Sequence, residues 1–495
     1  MNDTLGALVL LPLGGAVLAA LLPRHGPWVG IVTAAATLAL ALTTAAAVYR
    51  SGPRHLELAG WGAPLGIDLR ADGLSAAMLA LTAVVGVATT VYATGSDAAS
   101  GRPLFWPLWL ALWSGLNAVY VSGDLFNTYV ALELVGLSAV ALVALGGRDA
   151  YPPALRYLFV AVLGSLAYLL GVALVYAEAG TLDIVEAGER LDGATTAVTA
   201  LTATALAVMA LGLALKTALF PLHAWLPQAH AAAPSAVSAI LSALVVKASL
   251  FVLVRVWFVV FGGAATPGAA QLLGILGTVA VVWGAVLALR QPRLKPIVAY
   301  STVAQVGYLF LLFPLATPGL GEAAGTTAAQ AAYAGWTGAL GLALAHGLAK
   351  AAMFMAAGTL ALAHGSDRLT DLRGAATRMP MSTLTFGLAG ASLAGLPPTF
   401  GFVGKWQLLQ ASLISGQWWW LPVLLVGGLL TAAYTVRVLG ATVNPPDAEL
   451  APLAPVPRRM EWAALSMAAL AVMLGVSSSG LLGLLGVGAP VGGGP

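Results

Sequence analysis

Lys216-Thr217-Ala218-Leu219-Phe220-Pro221-Leu222-His223-Ala224-Trp225-Leu226-Pro227 interrupts an apolar run that extends over residues 198–229. At ~20 residues per membrane crossing, that run is too long for one straight helix. Pro221 falls in what would be the helix interior, where proline removes a backbone hydrogen bond and clashes with the preceding turn. In lipid the freed backbone groups need protein or water as partners, so broken helices line cavities. The same stretch places a charge, Lys216, beside the break. A second over-long run, 381–413, carries its own break at Gly395-Leu396-Pro397-Pro398.

The rest of the chain has the same character. Its 495 residues are 60% hydrophobic and 8% charged, with a mean hydropathy of +0.92. A soluble chain of this length carries about 124 charged residues, whereas this one has 22 basic and 19 acidic. Too few charges are left to solvate a globular surface. An ordinary soluble enzyme, a nucleic-acid binder and a disordered scaffold are excluded. Apolar runs fall at 5–22, 28–49, 73–94, 104–121, 125–145, 156–178, 198–229, 236–261, 270–289, 297–315, 332–362, 381–413, 420–442 and 461–486. The fold class is therefore an all-α polytopic membrane protein with about 14 transmembrane helices.

Loop charges orient the bundle. Met1-Asn2-Asp3 puts no positive charge ahead of the first run, unlike a cleavable signal, so 5–22 reads as a retained helix with an outside N-terminus. The alternate, cytoplasmic loops then hold twelve basic residues: Arg24, Arg102, Arg148, Arg156, Arg290, Arg293, Lys295, Arg368, Arg373, Arg378, Arg458 and Arg459. The outside loops hold four, Arg50, Arg54, Arg70 and Arg190. This is a strong positive-inside bias, and both termini are expected outside. The acidic segment 179–197 reads as an outer surface helix or loop, and the Gly/Pro-rich tail 487–495 as disordered.

The broken helices are the seventh and the twelfth. They lie five crossings apart and so run in opposite directions. That is the mark of two inverted five-helix repeats, helices 4–8 and 9–13, and paired interrupted segments point to a transporter's ion site. The expected organisation is residues 1–103 (helices 1–3), 104–262 (first repeat), 263–443 (second repeat) and 444–495 (helix 14 and tail).

Four of the five lysines lie inside apolar runs: Lys216, Lys247, Lys350 and Lys405. Glu133 is the only carboxylate deep in one. Each such group costs at least ~2.5–3.5 kcal/mol on insertion scales if left in lipid. They must face the bundle interior, water or one another. Snorkelling to the headgroups accounts poorly for all four lysines, because it would favour arginine as well and only Arg255 lies well inside a run. Arginine stays protonated, whereas a buried lysine can release its proton. A Glu/Lys pair can then act as a proton switch, with Glu133 the partner of Lys216 and Lys247 next along. His346 and Lys350, four apart, share a helix face, and histidine titrates near neutrality. His223 and His230, either side of Trp225-Leu226-Pro227, suit a cytoplasmic mouth or a plain interfacial role. Thr217, Ser235, Ser238, Ser242, Ser301, Thr302 and Gln305 suit a hydrated wire or simple helix packing. Asp124 suits an outer entrance or a helix cap. With no cysteine in the chain, disulfides, iron–sulfur clusters and thiolate metal sites are excluded.

These residues carry a resemblance. Ser122-Gly123-Asp124-Leu125-Phe126-Asn127-Thr128-Tyr129-Val130, leading to Glu133, resembles the fifth-helix signature of the D subunits of Mrp-type antiporters. The Lys216–Pro227 stretch, with Ala229-His230 and Ala233-Pro234-Ser235, is similar to the seventh-helix motif of the wider proton-translocating family. Lys295-Pro296-Ile297-Val298-Ala299-Tyr300-Ser301-Thr302-Val303-Ala304-Gln305-Val306-Gly307-Tyr308 resembles its tenth-helix block, and Gly395-Leu396-Pro397-Pro398 with Gly401-Phe402-Val403-Gly404-Lys405 its twelfth. That family includes antiporter-like subunits of respiratory complex I and of membrane-bound hydrogenases.

The resemblance implies a proton path along a hydrophilic axis in the membrane plane. Glu133 and Lys216 would be the coupled pair, Lys247 the central relay, His346 and Lys350 the link to the second half, and Lys405 the terminal proton-loading residue. Lys405 fits the pattern of the Mrp-type D subunits and departs from complex I subunits that carry Glu there. The implied protein is a secondary-transporter subunit of a multi-subunit sodium/proton antiporter in a bacterial plasma membrane. Its implied partners are the other Mrp-type subunits, protons, sodium and the bilayer, with no cofactor and no nucleic acid. The alternative is the equivalent proton-pumping subunit of a NADH-quinone oxidoreductase or membrane-bound hydrogenase.

Overall fold

The computed structural model describes residues 4–62, 66–96, 99, 101–194, 198–320, 325–445 and 452–492. The chain begins with α1 (Thr4–Leu21) and α2 (Gly26–Ser51), then a hairpin of β1 (Arg54–Glu57) and β2 (Asp68–Ala71). There follow α3 (Gly73–Gly95), α4 (Phe105–Val121), α5 (Leu125–Ala144), α6 (Tyr151–Ala179), α7 (Ile184–Ala194), α8 (Ala200–Thr217) and α9 (Trp225–Ala232). The eighth crossing joins α10 (Ser235–Ile240) and α11 (Val246–Arg255) through a π turn, Leu241–Val245, and ends in a second, Val256–Val260. Next come α12 (Pro267–Arg290), α13 (Leu294–Leu309), α14 (Leu312–Ala316), α15 (Thr326–His364) and α16 (Ala375–Arg378). The chain closes with α17 (Pro380–Ala394), α18 (Phe400–Ile414), α19 (Leu421–Val443), α20 (Arg458–Val476) and α21 (Ser479–Gly486).

Among the described residues, twelve helical segments are long and apolar enough to cross a membrane. The α4 helix, at 17 residues, and the α17/α18 pair, two halves of 15 residues each, complete the fourteen crossings expected. The all-α reading needs one amendment, since β1 and β2 pair antiparallel from Arg54 opposite Ala71 to Glu57 opposite Asp68. The acidic segment 179–197 is helical over α7, and residues 195–197 of it lie outside the described residues. The last apolar run divides into α20 and α21. The tail is not all loose: the Gly73 amide donates to the Val487 carbonyl at 2.9 Å and Val491 is buried. Residues 493–495 lie outside the described residues.

Helix starts are set by short polar side chains that accept from orphan amides of the first turn. Asp72 accepts from the Ser75 amide at 3.0 Å and Asp124 from the Asn127 amide at 2.6 Å. Asp124 is thus a cap of α5. The two breaks share a form. The α8 helix ends at Ala218, in the left-handed region at φ 60°, and α17 ends at Gly395, at φ 83°. A cis X-Pro bond follows each, Phe220–Pro221 and Pro397–Pro398.

The eighth crossing and α15 form the buried centre of the bundle, whereas α1, α2, α12 and α19 present outward faces that expose Leu10, Val32, Ile275 and Leu429. Lipid supplies no hydrophobic drive for helix association, so close packing of small residues supplies it. Gly164 and Gly212 bring α6 and α8 together, with a Cβ built on Gly212 falling 2.4 Å from the Gly164 carbonyl oxygen. Gly277 and Gly307 do the same for α12 and α13, at 2.5 Å. Gly212→Val should therefore force α6 from α8 and lower stability by about 1–3 kcal/mol. Thermal melting of the purified chain in detergent checks this, with Gly14→Ala as control because its Cβ meets nothing within 4 Å. Equal melting of Gly212→Val and the parent chain would contradict the packing.

Candidate functional site

Lys216 stands in the last turn of α8, directly before the break. Its ammonium donates to Ser165 Oγ at 2.5 Å and to the Ala161 carbonyl at 3.4 Å, both on α6. Glu133, two turns into α5, places Oε1 3.7 Å from the same nitrogen. That is beyond hydrogen-bond length, so the pair attracts without being locked. The break itself is satisfied by protein. Trp225 Nε1 donates to the Leu215 carbonyl at 3.1 Å, and its ring stacks on Tyr157 at 4.4 Å.

Lys247 follows the first π turn. A π turn leaves a carbonyl out of the regular ladder and recurs at functional positions. Here the Ser242 carbonyl accepts from Lys247 at 2.7 Å. Ser242 and Thr302 share a hydroxyl hydrogen bond of 2.8 Å, and Thr302 donates to the Val298 carbonyl at 3.2 Å. Val298 also accepts from Lys350 at 2.9 Å, and Lys350 donates to Ser301 Oγ as well. A continuous polar chain therefore joins Lys247 on α11 to Lys350 on α15 by way of α13.

The same face of α13 leads onward. Ser301, Gln305 and Tyr308 are spaced four and three apart, which stacks them on one side of a helix. Gln305 donates to Thr431 Oγ1 at 3.1 Å. The Tyr308 ring lies 4.3 Å from the Lys405 ammonium. Lys405 donates to the carbonyls of Leu393 and Ala394 at 2.9 and 3.1 Å. Those are end-of-helix carbonyls of α17, orphaned by the break.

His346, one turn before Lys350, is wholly buried, and neither ring nitrogen has a hydrogen-bond partner among the described residues. The position of His230 corrects the expectation of a mouth or interfacial residue. It is wholly buried, stacks on Phe354 at 4.8 Å and has both nitrogens unpartnered among the described residues. It lies within electrostatic reach of Lys247, Lys295 and Lys350. Buried polar groups without protein partners are the usual lodging of internal water. The small residues Ala229, Ala231, Ala232 and Ala233 around His230 are the signal that could have found it, because they let the helix approach its neighbours closely. Ser165 was also missed, since an isolated serine in an apolar run has no distinguishing pattern. Arg255, inside the run 236–261, is held by Asp72 in a two-pronged ion pair of 2.6 and 2.5 Å. Among the described residues no three His, Cys, Asp or Glu side chains are grouped to hold a metal ion.

The structure thus brings Glu133 to Lys216, and Lys247 through α13 to Lys350 and Lys405, with His230 and His346 beside the centre. The chain is similar to known proteins over most of its length. The profile of the family described as NADH:quinone oxidoreductase/Mrp antiporter, TM, matches residues 122–431, a span that contains all six charged or titratable positions expected from the sequence. The N subunit of the NADH-quinone oxidoreductase of Desulforudis audaxviator is 36% identical over 87% of this chain and 85% of its own. The D subunit of the Na(+)/H(+) antiporter of Bacillus subtilis is 28% identical over 88% of this chain and 86% of its own. A chain of the Mrp complex from Dietzia sp. DQ12-45-1b superposes with a TM-score of 0.88, at 26% identity, over 98% of this chain and 96% of that one. On its matched span, its fold and its relatives, this chain belongs to the NADH:quinone oxidoreductase/Mrp antiporter family of membrane subunits.

Proposed function

We propose that the chain is the proton-translocating subunit of a multi-subunit antiporter that exchanges protons for a monovalent cation, sodium. The observation that carries this reading is the row of lysines through the bundle, each ammonium held by carbonyl or hydroxyl oxygens. Lysine can give up its proton and arginine cannot. Protons would move by rearrangement of charge. When Glu133 and Lys216 close from 3.7 Å, the ammonium is held. When they separate, it loses its counter-charge and its proton passes towards Lys247. The Ser242–Thr302–Val298 chain carries the effect to Lys350, with His346 beside it, and the α13 face carries it to Lys405.

The supporting architecture is two inverted repeats, 104–262 and 263–443, flanked by 1–103 and 444–495. The matching form of the two breaks supports that division. Fourteen crossings put both ends of the chain on one side, which we assign to the outside of a bacterial cell membrane. The hydrogen bond from the Gly73 amide to the Val487 carbonyl puts the end of α21 on the same face as the start of α3. The partners would be other Mrp-type subunits. A second reading, the equivalent proton-pumping subunit of a NADH-quinone oxidoreductase, is favoured by the 36% identity to an N subunit of that complex.

Gentle co-purification with identification of the accompanying subunits separates the two readings. Small hydrophobic antiporter subunits support the first, and flavin and iron–sulfur subunits support the second. Lys216→Ala should abolish cation-driven proton movement in membrane vesicles while the complex still assembles. Wild-type transport in that variant would sink the relay. Lys247→Arg should fail as fully as Lys247→Met, because it keeps the charge but not the exchangeable proton. Transport by Lys247→Arg at the parent rate would show that the position needs only a cation.

A further inference from the structure

A cavity of about 490 Å³ opens where α3 ends and α13 begins. Arg102, Arg293, Lys295 and Arg368 line it, against one carboxylate, Asp367, among the described residues. They come from three separate connections. A backbone clip fastens two of these, with the Leu294 amide donating to the Asp367 carbonyl at 2.7 Å and the Leu369 amide to the Pro292 carbonyl at 3.0 Å. The clip sets Arg293 directly opposite Arg368 in an antiparallel bridge. Like charges placed opposite one another destabilise such a pair.

The protein answers only part of this charge. Asp367 Oδ1 accepts from Arg293 Nε at 2.7 Å. Arg368 lies within electrostatic reach of Asp371, whose two oxygens accept from Ser366 and Thr370. Lys295 donates to the Ala233 carbonyl at 2.5 Å. Among the described residues, Arg102 and Lys295 form no ion pair. A positive-inside bias alone would spread arginines along the rim. Here they surround one concavity, together with the hydroxyl-bearing residues Tyr92 and Ser235.

We propose that this cavity binds a phosphate-class oxyanion. Guanidinium groups match phosphate oxygens in pairs, and the lysine adds a point charge. The anion relieves the Arg293–Arg368 repulsion and ties the three connections together. Two sources share this chemistry, free inorganic phosphate and the headgroup of an anionic phospholipid. The site is independent of the transport reading.

The test uses the full-length chain in detergent, washed free of phospholipid, titrated calorimetrically with inorganic phosphate and separately with dihexanoyl-phosphatidylglycerol. Dihexanoyl-phosphatidylcholine is the control. Saturable one-to-one binding is expected for at least one anionic probe. It should weaken at least about tenfold in Arg368→Gln through loss of a charge-assisted contact, and weaken with added salt. Binding of phosphate identifies a soluble anion, and binding of phosphatidylglycerol alone identifies the headgroup. Arg368→Gln keeps the Arg293–Asp367 bridge. If it fails to fold, Arg102→Gln, in a loop, replaces it. Absence of saturable binding by either probe, or unchanged affinity in the folded variant, would overturn the proposal.

Discussion

Five lysine ammonium groups, four within the bundle and Lys295 at its rim, must be held without water on every side, and the rest of the structure is arranged around that constraint. Every one of them donates to a backbone carbonyl: Lys216 to Ala161, Lys247 to Ser242, Lys295 to Ala233, Lys350 to Val298, and Lys405 to Leu393 and Ala394. Among the described residues only Lys216 has a carboxylate within 4 Å. An isolated buried charge costs several kcal/mol even after relaxation. A carbonyl dipole offsets part of that cost without the tight grip of an ion pair. The Asp72–Arg255 pair, with two short bonds, shows the contrasting, locked arrangement in the same bundle.

A regular helix has few carbonyls to spare, so interruptions supply several of these acceptors. The π turn provides the Ser242 carbonyl, the end of α9 that of Ala233, and the end of α17 those of Leu393 and Ala394. The other two acceptors belong to regular helices and are flanked by hydroxyls, Ser165 beside Ala161 and Ser301 with Thr302 beside Val298. Close packing makes the arrangement possible. Where Gly164 and Gly212 meet, a Cβ on Gly164 would fall 2.7 Å from Lys216 Cγ, so the same small residue that joins the helices also makes room for the lysine. Through Val298, Thr302, Gln305 and Tyr308, α13 touches both halves of the lysine row.

Much of this was legible along the chain. The over-long runs 198–229 and 381–413 announced the two breaks, and the lone lysines in apolar runs announced the interior charges. The i, i+4 spacing of His346 and Lys350 put them on one face. Other features left little or no local mark. His230 sits in a stretch that reads equally as an interface, and its burial depends on α15 bringing Phe354 against it. Ser165 has no pattern of its own. The β1–β2 hairpin is too short and too mixed to stand out between two apolar helices. The ordered part of the tail is held by contact with the start of α3, a partner several hundred residues away.

The sequence by itself determined that this is a membrane bundle, how many times it crosses, where it breaks and which charges lie within it. Hydropathy, proline and charge act locally in lipid, where a helix must satisfy its own backbone and a buried charge stands out against apolar neighbours. Only the tertiary structure decided what each charge meets. A lysine finds its carbonyl on another helix, and which carbonyl that is depends on glycine contacts, a π turn and the exit angle of a broken helix. Those depend on how distant segments pack, and no single stretch of the chain specifies them.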